Sequence, residues 1–253
     1  SASVVVDKWS RLADSDMTAN PGEIVLGSDC KLDNVRASNF HVVMTGSYNA
    51  ITGCVIHCKH YTDTENCMAV YVSSWRATIK STTIRVYGLT AADNTLYVYG
   101  VYTDTSSTLV EDCEVIVDAP APGYGTVRAY GVYTTDAGLI VTDCYIMITG
   151  GDSSVGGVYA SGGGWHTVAS NRIHVQSGSS GTYVDGVGLC ASPYSSVTGN
   201  VIDLSTGAFL FGVSVYGYCV VDGNTIVLGD GTIRVGVANE DTDVVGDNMV
   251  VKT

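Results

Sequence analysis

The sequence predicts an all-β protein wound as a right-handed parallel β-helix of about eight to nine coils. Three observations predict it. An eight-residue pattern recurs along most of the chain, a second motif advances in step with it, and the composition suits strands and turns rather than helices.

Composition sets the outer limits. The 253 residues contain only 15% charged side chains, while Gly, Val, Thr, Ser and Tyr are abundant, so amphipathic helices have little to be built from. The net charge of −13 would repel a nucleic-acid backbone or an anionic membrane, and neutral glycans or basic partners suit it better. No run approaches the roughly 18 apolar residues of a membrane span, so no membrane insertion is expected. Eight cysteines without CxxC spacing form neither a small disulfide framework nor a zinc module.

The pattern reads apolar, polar, small, Cys or Asn, any, Ile or Val, any, apolar. Its copies are ITGCVIHC from Ile51, IKSTTIRV from Ile79, VEDCEVIV from Val110, VTDCYIMI from Val141, VASNRIHV from Val168, VTGNVIDL from Val197, VDGNTIVL from Val221 and VGDNMVVK from Val245. Their fourth residues are Cys54, Thr82, Cys113, Cys144, Asn171, Asn200, Asn224 and Asn248, spaced by 28, 31, 31, 27, 29, 24 and 24 residues. A weaker earlier copy is expected at Cys30. Between copies runs a second motif: MAVYV at Met68, YGVYT at Tyr99 and Tyr130, GGVYA at Gly156, DGVGL at Asp185, FGVSV at Phe211 and VGVAN at Val235.

Successive residues of a strand face opposite sides. The near-constant Ile or Val at position six (Ile56, Ile84, Val115, Ile146, Ile173, Ile202, Ile226, Val250) therefore faces inward, with position four also inward and the mixed positions five and seven outward. A period of 24 to 31 residues is short for a βαβ unit, and no stretch between copies carries a helical stripe. What remains is a stack of short parallel strands about 4.8 Å apart, a rod of about 40 Å.

On this repeat, and above all on the inward row Asn171, Asn200, Asn224 and Asn248, the sequence resembles the pectate-lyase-like superfamily of parallel β-helices, which includes phage tailspikes. The resemblance implies a structural ladder in which each amide bonds its neighbours and the turning backbone. Cys54, Cys113 and Cys144 occupy the same row in earlier coils and are expected to be buried free thiols. The polygalacturonase-type and epimerase-type motifs of familiar enzymes on this fold are absent from the sequence.

Candidate sites follow from the outward positions. Tyr71, Tyr102, Tyr133 and Tyr159 recur at one point of successive coils beside inward Val70, Val101, Val132 and Val158, and predict an outward ladder suited to sugar rings or to a subunit interface. Glycoside hydrolysis needs two carboxyls about 5 to 9 Å apart, and the pairs Asp104 with Asp136, and Asp112 with Asp143, are candidates, although Asp is equally a turn residue. Cys54, His57, Cys58, His60 and Cys67 are potential metal ligands crowded in sequence, but alternation sends Cys54 and Cys58 away from His57, so no metal and no cofactor is expected. Outward apolar residues, including Val55, Ile116, Tyr145, Met147, Val201 and Val227, predict a covered face, as in a trimer.

Residues 1–25 are expected to form a lead-in, with a helix-capping start at Ser10 to Met17 covering the first coil, and 26–253 the β-helix proper. The absence of a cap after Asn248 predicts a piece of a longer protein. Three functions stay open: a tailspike or adhesin at the virion or cell exterior binding cell-surface carbohydrate, a polysaccharide lyase or glycoside hydrolase, and a structural shaft.

Overall fold

The computed structural model describes residues 2–59, 66–87, 95–119, 126–239 and 244–253. Among these every regular element is a β-strand, and all the pairings between strands are parallel. The chain is a parallel β-helix, close to the expected coil number.

One coil shows how the repeat works. A three-residue strand, Leu109–Glu111, turns into the repeat strand Glu114–Asp118, and a long strand, Val127–Thr134, then leads back to the next short strand, Ile140–Thr142. The short strands stack into a ten-stranded sheet, and the other two kinds of strand stack beside it. Pairing between coils keeps the repeat in register: Val115 lies against Ile84 on one side and Ile146 on the other. Position six thus forms a continuous column of fully buried Ile and Val from Ile56 to Ile226; Val250, with no described strand beyond it, is 40% exposed.

The small third position of the pattern has a backbone cause. Asp14, Asn34, Gly53, Ser81, Asp112, Asp143, Ser170, Gly199 and Gly223 all adopt left-handed conformations, with φ between 49° and 64°. A left-handed residue costs roughly 1–2 kcal/mol unless it is Gly, or Asn or Asp with local bonding, so this turn favours those types, and Ser81 and Ser170 are its two departures. It throws the fourth residue inward, where all the sequence-predicted ladder residues lie: Cys54, Cys113, Cys144, Asn171, Asn200 and Asn224 are buried and Asn248 is half-buried.

Each asparagine of the ladder accepts a hydrogen bond from the turn of the coil before it. The Asn171 N–H donates to Asn200 Oδ1 at 2.9 Å and the Asn200 N–H to Asn224 Oδ1 at 2.9 Å. No disulfide joins any of the eight cysteines. The neighbouring Cys113 thiol, with burial, pushes the Cys144 thiol up.

Two expectations are corrected. Ser10 to Met17 is not a helix: Arg11–Ala13 is a short strand paired with Lys31–Asp33, and Asp16–Leu26 pairs with Arg36–Met44. Its capping sequence gives way to parallel pairing because both strands find a register partner one coil on. The earlier copy of the repeat is centred on Val35, whose N–H bonds Cys54 Sγ at 3.4 Å, rather than on Cys30. Cys30 belongs to a different turn, where its N–H is held by Asn49 Oδ1 at 3.0 Å.

From Leu96–Thr103 onward the long strands bend at one glycine per coil; one coil earlier Ala69 stands opposite Gly100. Val98 and Val101 both point into the core although they are three residues apart, so alternation is broken at Gly100. The next coil repeats this at Gly131, where a Cβ would lie 2.7 Å from the Gly157 carbonyl oxygen and closer still to Ile146 Cγ2. A side chain at Gly131 would force these neighbours to shift.

Candidate functional site

The glycine corner makes the site. Because the strand bends there, the tyrosines on either side of it meet: buried Tyr99 packs beneath half-buried Tyr102 in one coil, and buried Tyr130 beneath half-buried Tyr133 in the next. Their rings meet with centroids 5.0 Å apart in both coils.

The predicted row Tyr71, Tyr102, Tyr133 and Tyr159 is in register across four coils. Tyr102 stacks on Tyr133 at 5.6 Å with planes 7° apart, and Tyr133 on Tyr159 at 5.6 Å and 10°. The four rings are half-buried rather than freely exposed, since a second row packs against them. That row, Tyr99 and Tyr130, escapes a reading by strict alternation, which sends a residue three places before an outward one inward. The Gly of YGVYT is the signal that could have revealed it.

Polar groups close the end nearest Tyr71. A hollow of about 330 Å³ is lined by Asn66, Met68, Tyr71, Tyr99, Tyr102 and Asp104. Beside it lies a second hollow of about 310 Å³, which shares Asn66, Met68 and Tyr71 and adds Glu23 and His41. His41 Nε2 is 3.2 Å from Glu23 Oε1. The Tyr71 hydroxyl donates to Asp104 at 2.6 Å, and this bond to a carboxylate pushes the phenol up to about 12. Burial raises Tyr130 to about 12 and shifts Tyr99 and Tyr159 upward as well. These phenols are neutral donors and acceptors, not bases.

The other end carries a group that the sequence reading did not single out. Asp185 stands in the row of Tyr99, Tyr130 and Gly156. It keeps a little accessible surface, but Tyr130 and Tyr159 crowd its carboxyl. Burial raises it to about 6, against a single opposing hydrogen bond of 2.9 Å from the Ser214 hydroxyl. Its place in DGVGL, where other coils carry Tyr, Met, Gly, Phe or Val, was the available signal.

The four candidate aspartates fall in different settings. Asp104 faces the tyrosines, whereas Asp136 is one register position further on and bonds the Ala137 N–H at 2.7 Å within its own turn. Asp112 and Asp143 occupy equivalent left-handed turns before the repeat strand, away from the glycine corner, and Asp112 accepts from the Ser81 hydroxyl at 2.8 Å. The turn geometry accounts for their residue type. Of the cysteine and histidine cluster, His60 lies outside the described residues. Among the described residues no three His, Cys, Asp or Glu side chains gather as a metal site, and no helix is long and apolar enough to cross a membrane.

No family model and no curated protein matches the chain. Among solved structures it is similar to the Dettilon tailspike protein, at 14% identity and a TM-score of 0.36, over 98% of this chain and 61% of that one. The chain thus spans about three fifths of the length of that tailspike.

Proposed function

We propose that the chain is a surface β-helix of tailspike or adhesin type, and that its glycine-corner groove binds cell-surface carbohydrate. The observation that carries this reading is the half-buried tyrosine row backed by buried Tyr99 and Tyr130: neutral phenols, rings repeated along the rod in steps of 5.6 Å, and a polar end at Asn66, Asp104, His41 and Glu23. Tiled rings offer apolar surface to the C–H faces of sugars while their hydroxyls meet sugar hydroxyls. A repeating ligand matches a repeating site.

Binding to a glycan array tests it. Tyr102→Ala and Tyr133→Ala are each expected to weaken binding at least tenfold; unchanged affinity in both removes the groove from carbohydrate recognition. Exposure at the virion or cell exterior and a side-by-side trimer belong to the same reading. Val201 is 45% and Tyr145 36% exposed on the outer face of the repeat strands, and a monomeric mass in solution would overturn the trimer.

Asp185 favours a second reading, cleavage of the bound polysaccharide with this carboxyl as proton donor, because an acid raised to about 6 stays partly protonated near neutrality. A reducing-end assay on capsular polysaccharides separates the two. Release of ends by the wild type that is lost in Asp185→Asn supports cleavage, and Asp112→Asn and Asp143→Asn test the turn pair in the same assay.

A further inference from the structure

A second aromatic row lies at another corner of the coil, the turn that leads into the short strands. Each coil places one left-handed residue there: Trp9, Asp29, Tyr48, Arg76, Ser107, Gly138, Trp165, Tyr194 and Tyr218, with φ between 54° and 73°. The conformation suits Gly, Asp and Ser, which several coils use. Bulky aromatic residues at positive φ are outliers whose backbone strain calls for a reason.

Burial is not that reason. Trp165, Tyr194 and Tyr218 are 68%, 55% and 60% exposed. They occupy three consecutive coils and stack on one another, Trp165 on Tyr194 at 5.0 Å and Tyr194 on Tyr218 at 5.7 Å. One coil earlier the equivalent residue is Gly138, which has no side chain to cover the remaining face of Trp165.

The surroundings narrow the ligand. In a chain of net charge −13, the turns that carry these rings, SGGGW, CASPYSS and YGYC, contain no Asp, Glu, Lys or Arg. The same corner in earlier coils is charged, with Lys8 beside Trp9 and the Arg76 guanidinium 4.2 Å from the Trp75 ring. Three rings exposed to this degree present at most about 450 Å², given the ~150–250 Å² that an aromatic side chain can bury. A stable protein interface needs about 800 Å² on each partner. A narrow, uncharged stripe of stacked rings fits a chain of sugar residues instead.

We propose that Trp165, Tyr194 and Tyr218 form a second carbohydrate-contact site, selective for uncharged hexose chains and separate from the tyrosine groove. The inference does not depend on the groove's function. It is tested in a Trp9→Phe, Trp75→Phe background, where Trp165 alone reports by fluorescence, titrated with cello-, malto- and manno-oligosaccharides. At least one of these series is expected to shift or quench the Trp165 emission saturably, and charged uronate oligomers are expected not to.

A Tyr194→Asn, Tyr218→Asn variant keeps residues that tolerate the left-handed turn, so it should unfold at the same or a higher denaturant concentration while its affinity falls at least tenfold. Tyr102→Ala with Tyr133→Ala should leave this titration unchanged, which separates failure of the groove from failure of the stripe. No response to any of the oligosaccharides, or equal affinity in the Asn variant, overturns the proposal. So does a concentration-dependent increase in mass that the Asn variant abolishes, because the stripe would then join copies of the chain.

Discussion

The same inward position is served by different chemistry in the two halves of the rod. In the coils up to Cys144 the row is mostly thiol, and the bonds that it accepts are long: 3.4 Å from the Val35 N–H to Cys54 Sγ, and 3.5 Å from the Cys113 N–H to Cys144 Sγ. From Asn171 onward the row is amide, and the corresponding bonds are 2.9–3.0 Å. Each asparagine also donates: Asn200 Nδ2 reaches the carbonyl of Val168 and Oδ1 of Asn224, both at 2.9 Å. A thiol fills the space and weakly satisfies one backbone donor, whereas an amide links three coils. Stability is therefore expected to be unequal along the rod, greatest where the amides form an unbroken run.

Asn200→Ala should show the largest effect. It removes the acceptor of both the Asn171 N–H and Asn171 Nδ2, and the donor to Val168 and Asn224, leaving buried polar groups unpaired. The expected loss is about 3–4 kcal/mol, summing a desolvated backbone donor and the broken amide bonds. Chemical denaturation measures it. A loss below about 1 kcal/mol would mean that the amide run adds nothing over a small side chain.

Asp185 extends the comparison to the outer face of the same half, where a buried polar group is held by one bond instead of several. Its carboxyl is raised from 3.8 to about 6, so the folded state holds this proton more tightly than the unfolded chain does. The folded state is thus penalised as pH rises through that window: nothing below about pH 4, the full penalty above about pH 6. Asp185→Asn is expected to be more stable than wild type by about 2–3 kcal/mol above that window and equal to it below. Denaturation midpoints that differ equally at both ends of the pH range would show that the carboxyl's charge is not the cause.

Cys113→Ala probes the weaker half. The thiol's bonds to the Glu111 and Ile79 carbonyls are 3.2 and 3.5 Å, and the space vacated is one sulfur atom, so about 1–2 kcal/mol is expected. A loss equal to that of Asn200→Ala would erase the distinction between the halves. Both are read from the same denaturation experiment.

The inward column and the ladder were legible in the sequence because both obey fixed periods, two along a strand and one coil between strands. Ile146 and Asn200 stand where their pattern puts them. The site was only half legible, since it sits where the period fails: the bend at Gly131 packs buried Tyr130 beneath the Tyr133 ring, on the side to which alternation correctly sends Tyr133 alone. Asp112 and Asp143 are ambiguous for the opposite reason. Their repetition fits paired chemistry, and the left-handed turn, filled elsewhere by Asn, Gly or Ser, also favours such residues. Trp165, Tyr194 and Tyr218 break that preference at their own corner, and no spacing rule distinguishes a strained exposed aromatic residue from a buried one before the backbone is known.

The smallest effect, and the most discriminating, is expected where the two halves meet. Cys144 is the last thiol before the amides, and its N–H already donates to Asn171 Oδ1 at 2.9 Å. Cys144→Asn would carry the amide run one coil further. The partners are in place: the carbonyls of Val110 and Thr142, now bonded by Cys144 Sγ at 3.6 and 3.1 Å, correspond to those that Asn200 reaches in Val168 and Thr198. The Cys113 N–H would exchange a sulfur acceptor for an oxygen. Replacing weak bonds by ordinary ones adds about 1 kcal/mol, offset in part by the extra atoms that the turn must admit, so a net gain of about 0.5 kcal/mol is expected in the denaturation midpoint. Slower amide hydrogen exchange at Cys113 would accompany it. A loss of more than about 1 kcal/mol would show instead that the thiol coils are shaped for sulfur and that the halves differ in backbone geometry as well as in bonding.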